Sequence, residues 1–258
     1  MGILIHRNTG VTASRSTGAE NNLLGRLEPD DFASVSPALA EWDAAAGQVI
    51  YEPGDAVRWT FFPRGASLVS FRVGLSDGRM VEAALVGREG AVGGVISHGK
   101  LPSFSQSVVQ FAGPFWRIES ARLDAAKQAH PRLDNLLSRY ADCLMAQVFQ
   151  SAACNAAHPI ERRIARWLVS AFDRTGDPRL PVTQEELAAS LGVGRSYVSQ
   201  MLKSLSEQGA LEPQRGVVRL LDVERLRQLA CECEAAVRTH FEDVLANVYP
   251  GEKAAAGG

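Results

Sequence analysis

The stretch 183–205, Thr-Gln-Glu-Glu-Leu-Ala-Ala-Ser-Leu-Gly-Val-Gly-Arg-Ser-Tyr-Val-Ser-Gln-Met-Leu-Lys-Ser-Leu, constrains the fold more than any other part of the chain. Thr183 followed three residues later by Glu186 is a capping box: the hydroxyl accepts from an orphan backbone N–H, and the carboxylate reaches back to the cap's own N–H. A helix therefore starts here, with Leu187, Ala188 and Leu191 on one side. Gly192 can take the positive φ of a sharp turn, and Val193 plugs that turn. From Gly194 a second helix follows, with Val198, Leu202 and Leu205 facing inward and Arg195, Ser196, Ser199, Gln200 and Lys203 facing outward.

The outward set is rich in donors and holds no carboxylate. Such a face can hydrogen-bond base edges along its first turn and a half, and Lys203 can meet a phosphate. The stretch reads as a helix-turn-helix, with Thr183, Gln184, Arg195, Ser196, Tyr197, Ser199, Gln200 and Lys203 as its DNA-facing residues. The bland alternative is a helical hairpin with one wet face. The cap, the turn glycine and the flanking apolar residues all fall at helix-turn-helix spacing, which favours DNA.

The chain's 258 residues allow two ordinary domains. With 27 Lys+Arg against 29 Asp+Glu there is no global basic signature, so a nucleic-acid surface must be local. Between 194 and 220, Arg195, Lys203, Arg215 and Arg219 outnumber Glu207 and Glu212 by two. That small surplus suits specific duplex binding better than polyanion coating. No stretch has the apolar length of a membrane span, and the opening residues do not fit a signal peptide, so a cytoplasmic protein is expected. Four cysteines in a chain this long are too sparse for a disulfide scaffold.

Residues 1–20 read as a disordered tail. From 21 to 130 two short helical pieces precede runs of β-formers at 49–51, 59–62, 67–75, 80–86, 108–111 and 115–118. Many short strands at this spacing argue for a sandwich or jelly roll. Asp77-Gly78 signals a two-residue hairpin with both central residues at positive φ. After a linker helix at 119–130, Pro131 can open a longer helix, 131–157. Its Leu133, Leu137, Tyr140, Leu144, Gln147, Ser151 and Cys154 recur at steps of four and three, a heptad seam about 33 Å long. A helix packed on its own domain needs a wider stripe, so the seam predicts a twofold dimer, with Leu133, Leu137, Tyr140 and Leu144 at its interface.

His158-Pro159 breaks the long helix, since the residue before proline is pushed away from helical ψ, and is read as a hinge. The domain 158–221 continues with an amphipathic helix carrying Ile164, Trp167, Leu168 and Phe172, then the paired helices, then a small hairpin. Arg215 at the hairpin tip reads as a wing residue against phosphate. A final helix is expected in 222–258, with Leu226, Leu229, Cys233, Val237, Phe241, Val244 and Val248 on one face.

A β-roll, a seam helix, a hinge and a winged helix-turn-helix in this order resemble the CRP/FNR superfamily of bacterial transcription regulators. The likeness covers about residues 21–221, most specifically 158–174 and 183–203. It implies an α+β chain with an N-terminal cyclic-nucleotide-binding-like jelly roll, a long dimerisation helix and a C-terminal winged helix-turn-helix. The partners it implies are double-stranded DNA at a palindromic site, a second copy of the chain and RNA polymerase. By position, Arg195, Ser196, Ser199 and Gln200 match the family's base readers. The best-known members carry glutamate where Ser196 stands and arginine where Gln200 stands, so a different half-site is expected. Arg195 can still read guanine, and Gln200 adenine.

In the family's cyclic-nucleotide binders a Gly-Glu pair holds the ribose and an Arg-Ser or Arg-Thr holds the cyclic phosphate. The matching positions here are Gly93-Gly94 and Ser105-Gln106, which lack both carboxylate and guanidinium. A buried phosphate without a cationic partner is costly, so the expected signal is not cyclic AMP. The candidate pocket comprises Arg88, Gly93, Gly94, Ser105, Gln106, Gln147 and Ser151; Arg88, His98, Lys100 and Arg117 are candidates for holding another anion. A cyclic-nucleotide-responsive regulator is the alternative, and a metal-dependent cupin-like enzyme a remoter one, since the five histidines are scattered singly. No metal and no cofactor are expected: Cys231 and Cys233 lie about 200° apart around a continuous helix, and Cys143 and Cys154 are too far apart to chelate together.

Overall fold

The computed structural model describes residues 20–95, 101–246 and 248. The expected N-terminal tail, apart from Glu20, and His98, Lys100 and the C-terminal tail lie outside the described residues.

Seven strands build the roll: β1 (Ala40–Ala44), β2 (Val49–Tyr51), β3 (Trp59–Pro63), β4 (Leu68–Gly74), β5 (Met80–Val86), β6 (Gln106–Phe111) and β7 (Gly113–Glu119). They form two antiparallel sheets, β1-β7-β3 and β2-β6-β4-β5. Successive side chains on a strand point to opposite faces, and here both faces are covered. Phe61, Val69, Val109 and Phe115 fill the space between the sheets, while Phe62, Trp116 and Ile118 meet helices outside it. The runs of β-formers mark six of these strands and miss β1, an edge strand whose Ala-Glu-Trp-Asp-Ala sequence buries only Ala44.

The β4–β5 turn differs from its expected form. Gly78 N–H donates to Leu75 O at 3.0 Å and Leu75 N–H to Arg79 O at 2.8 Å, so the loop holds three residues, Ser76, Asp77 and Gly78. Gly78, at φ 84°, supplies the left-handed position that lets a longer turn follow the strand twist. Asp77 accepts from the Arg79 backbone instead.

The helices are α1 (Pro29–Val35), α2 (Ser120–Ala129), α3 (Pro131–Ala157), α4 (Ile160–Thr175), α5 (Gln184–Leu191), α6 (Arg195–Glu207), α7 (Val223–Leu229) and α8 (Cys233–Val244); β8 (Arg179–Leu180), β9 (Leu211–Gln214) and β10 (Val217–Leu220) make a second small sheet. Pro131 opens α3, and α3 ends where His158, extended before Pro159, leaves helical ψ.

The heptad seam of α3 is occupied by the chain itself. Leu133, Leu137 and Tyr140 are buried with Leu123, Val237 and Phe241, Leu144 packs on the roll's interior cluster, and Tyr140 donates to Ala91 O at 3.0 Å. These four residues are therefore not a free dimer surface, a correction with a plain cause. Heptad spacing says which residues share a face, not what covers it. Ala141 and Cys143, also buried, widen the stripe to what a helix on its own domain requires. The face of α3 that flanks this stripe carries Met145, Val148 and Phe149 at 47%, 39% and 66% exposure.

The expected single C-terminal helix is two. Asp222 caps α7, whose chain leaves helical geometry at Ala230 (φ −74°, ψ 168°), and α8 restarts at Cys233 against α3. No glycine or proline marks this break in the sequence. What it achieves is the joint burial of Cys231 and Cys233 beside Cys154.

Candidate nucleic-acid interface

The helix-turn-helix forms from its local signals. Thr183 accepts from Glu186 N at 3.2 Å while the Glu186 carboxylate accepts from Thr183 N at 2.8 Å, which completes the capping box. Gly192, at φ 70°, ends α5 in the left-handed region, and Val193 N–H returns to Ala188 O at 3.0 Å. Val198, Leu202 and Leu205 of α6 are buried in a core with Ile164, Leu168 and Phe172 of α4 and Leu187 and Leu191 of α5. A recognition helix so anchored on one side leaves its other side for a ligand.

On that other side Arg195, Ser196, Gln200 and Lys203 are exposed and Ser199 is half-buried. Thr183 is exposed with its hydroxyl held in the cap, and Gln184 is half-buried at the first position of α5, where unpaired N–H groups suit a phosphate. Arg215 is exposed at the tip of the β9–β10 hairpin, which Gly216 turns at φ 72°.

Two carboxylates outside the sequence tally touch this surface. Arg195 Nε lies 2.9 Å from Glu185 Oε1, across from α5. Both side chains are exposed, so the pair is worth at most about 1 kcal/mol and yields readily to a stronger acceptor. The Tyr197 hydroxyl donates to Glu161 on α4 and holds that carboxyl below its usual range, so Tyr197 braces α6 against α4.

The domain sits on the roll through α4 and α5. Trp167 Nε1 donates to Glu82 Oε1 at 2.7 Å, and Ser70 donates to the other oxygen at 2.9 Å. Burial pushes the Glu82 carboxyl above the usual carboxylate range, against the pull of these hydrogen bonds and Arg72. Arg174, from the last turn of α4, reaches Glu89 and Leu85 of the roll, each at 3.1 Å, and also meets the Gln147 side-chain oxygen on α3.

The expected effector residues do not share one pocket. Gly93 abuts Tyr51 and Trp59, and Gly94 abuts Thr60 and Ser120. Ser105 gives its carbonyl to Ser103, and Gln106 donates to Glu52 at 3.0 Å on the roll's surface. Arg88 lies against Gly176 at the end of α4. Gln147 donates to Leu85 O at 3.0 Å, and with Ser151 it lines a cavity of about 30 Å³ beside Trp167 and Arg174. That space suits a water or two and not a nucleotide. The scatter has a physical cause: α3 sits on β5, so its polar positions are used to join domains. Arg117, another proposed anion contact, stacks on Trp59 with its guanidinium carbon 4.6 Å from the ring centroid.

One constellation that helical spacing excludes is present in the structure. Cys154, His158, Cys231 and Cys233 converge, their ligand atoms all within 4.8 Å of one another. The exclusion requires a continuous helix through 231 and 233, and the break at 230–232 removes it.

A winged helix-turn-helix is here fixed to a β-roll and a long helix. Residues 162–229 match the Crp-like helix-turn-helix domain. The fold is similar to that of FixK2 from Bradyrhizobium japonicum (16% identity, TM-score 0.64, covering 75% of this chain and 98% of that one). It is also similar to CLP from Xanthomonas campestris, described as a c-di-GMP responsive global regulator (18%, 0.60, 75% and 99%), and to TTHB099, a CRP-family transcriptional regulator from Thermus thermophilus (22%, 0.59, 73% and 96%). No curated protein sequence matches the chain. Residues 162–229 are thus a Crp-like helix-turn-helix domain, and the fold that carries it is the one seen in regulators of the CRP/FNR type. Among the described residues no helix is long and apolar enough to cross a membrane.

Proposed function

We propose that the chain acts as a homodimer on a palindromic duplex, with the two α6 helices in successive major grooves about 34 Å apart. The observation that carries this reading is the face of α6: Arg195, Ser196, Gln200 and Lys203 stand exposed opposite the buried Val198, Leu202 and Leu205. Arg195 suits guanine, Gln200 suits adenine, and Lys203 and the wing's Arg215 suit phosphates. RNA polymerase is the expected second partner.

The dimer forms through the outer face of α3. Met145, Val148 and Phe149 support this assignment, because three large apolar side chains on one exposed helix face are stabilised by a like face. Signals enter through the roll by a molecule other than cyclic AMP. Gly93, Gly94, Ser105 and Gln106 offer neither the carboxylate for a ribose nor the guanidinium for a cyclic phosphate.

Selection of bound duplexes from a random pool tests the reading, and should return a twofold-symmetric site. On that site Arg195→Ala and Gln200→Ala should each cost about 1–3 kcal/mol and relax preference at one base pair per half-site. Lys203→Ala should weaken all duplexes alike and lower the salt slope by about one. No enrichment over many rounds, with reader variants binding like the parent, would overturn it.

A further inference from the structure

Cys154 lies in the last turn of α3, His158 is its C-cap, and Cys231 and Cys233 flank Glu232, the N-cap of α8. Cys154 Sγ lies 3.5 Å from Cys231 Sγ, and Cys233 Sγ lies 3.4 Å from His158 Nδ1. Around a tetrahedral ion with metal–sulfur bonds of about 2.3 Å and metal–nitrogen bonds of about 2.0 Å, sulfur–sulfur edges are about 3.8 Å and sulfur–nitrogen edges about 3.5 Å. With all four atoms inside 4.8 Å, shifts of at most about 1 Å complete the tetrahedron.

The surroundings match what ligands of this kind need. His158 Nε2 lies 3.1 Å from Glu232 Oε1; a proton on that nitrogen, held by the carboxylate, leaves the Nδ1 lone pair facing the sulfurs. Gln150 Nε2 donates to Cys233 Sγ at 3.1 Å. Three thiolates around a divalent ion leave one net negative charge, and Arg166 of α4 lines the same small cavity as Cys233. The three sulfurs are almost wholly buried, so water has little access.

We propose that Cys154, His158, Cys231 and Cys233 form a closed Cys3His site for one thiophilic divalent ion, zinc by its fit to sulfur and nitrogen in tetrahedral geometry. As each metal–sulfur bond forms, a thiol gives its proton to solvent. A site with four protein ligands and no open position is structural. The ligands are too close together to surround an iron–sulfur cluster, whose sulfurs bind outward from several irons. The ion would tie the end of α3 to the α7–α8 junction across the break at 158–159, and so fix how the helix-turn-helix leaves the long helix.

The test uses the full chain, reduced with a phosphine and freed of metal by a chelator. Titration with Co2+ should saturate at one ion per chain, with the strong visible bands of tetrahedral cobalt and thiolate-to-cobalt charge transfer, and Zn2+ should displace it. Cys143→Ser, a buried thiol on the same helix outside the site, should leave the spectrum unchanged. Cys231→Ser and Cys233→Ser should abolish the charge-transfer intensity of their sulfur, and Glu232→Gln should weaken the ion by about 10- to 100-fold. An octahedral cobalt spectrum, or uptake no tighter than millimolar, would overturn the proposal on the parent chain alone, whatever the variants do. So would an equal effect of Cys143→Ser. None of these readouts depends on DNA, so their failure leaves the DNA-binding reading standing.

Discussion

Arg174 and Glu89 join the helix-turn-helix domain to the roll by a buried ion pair, whose side chains are 4% and 2% exposed. The guanidinium also donates to Leu85 O and Ser170 O, and Glu89 accepts from Gly87 N at 3.1 Å. Gly87 is part of the fit, because a Cβ there would stand 2.8 Å from Arg174 Cβ and 2.9 Å from its carbonyl oxygen. Burial pushes the Glu89 carboxyl above the usual range, and Arg174 pulls it back. Arg174→Met keeps much of the apolar stem and strands the carboxylate. Removing one partner of a buried pair costs about 3–5 kcal/mol, which at a urea slope of about 3 kcal/mol per molar lowers the midpoint by about 1–2 M. Since the folded pKa of Glu89 is raised, the stability that its protonation contributes is full below about pH 4.3 and is lost as pH rises through the folded value. Without Arg174 that value climbs further, so the variant should regain part of its deficit on acidification. Adding Glu89→Gln should restore most of the loss at pH 7. Urea unfolding followed by tryptophan fluorescence measures all three. A deficit under about 1 kcal/mol for Arg174→Met, or a double variant as weak as the single, would refute the reasoning.

The other predictions concern α3 and the second buried carboxylate. Val148→Asp with Phe149→Asp should give folded monomers by light scattering, because these side chains are exposed in the single chain, whereas Leu137→Asp should lose the fold. Dimers from the first pair of changes would move the interface elsewhere. Glu82 has a raised folded pKa, so its contribution is full below about pH 4.3 and declines as pH rises through that value. Glu82→Gln keeps an acceptor for Trp167 and should flatten the fall in melting temperature as pH rises above the ordinary carboxylate value of about 4.3; parallel curves for the two proteins would count against a buried titrating group there.

Much of the helix-turn-helix was legible because its signals are local. A capping box, a turn glycine and an inward stripe are each decided by residues within one turn of each other, and Thr183, Glu186 and Gly192 adopt the geometry their spacing implies. Glu185 is hidden from such a reading for a related reason. It belongs to α5, and only the angle between α5 and α6 brings it to Arg195. The stripe on α3 shows where periodicity stops being informative. Leu133, Leu137 and Tyr140 had to be covered, and their heptad spacing pointed to a second α3 where the roll and α8 are what cover them. Burial of Ala141 and Cys143 decides between them, and it follows from tertiary packing that no seven-residue repeat records.

The cysteines carry the same point further. Two residues apart on a helix, Cys231 and Cys233 point to different sides, and the residues around them have no glycine or proline to suggest anything else. Yet α7 packs on α4 and α8 packs on α3, and these two supports lie on either side of the break at His158-Pro159. A segment held to both helices must itself bend where they part, and the bend falls at 230–232. The clue readable in advance was the pairing of one break with one motif: a helix-breaking His-Pro with a cysteine four residues before its histidine, and a Cys-x-Cys in the later segment long enough to pack back across it. Each is weak alone, and together they place three sulfurs and an imidazole at one corner of the fold.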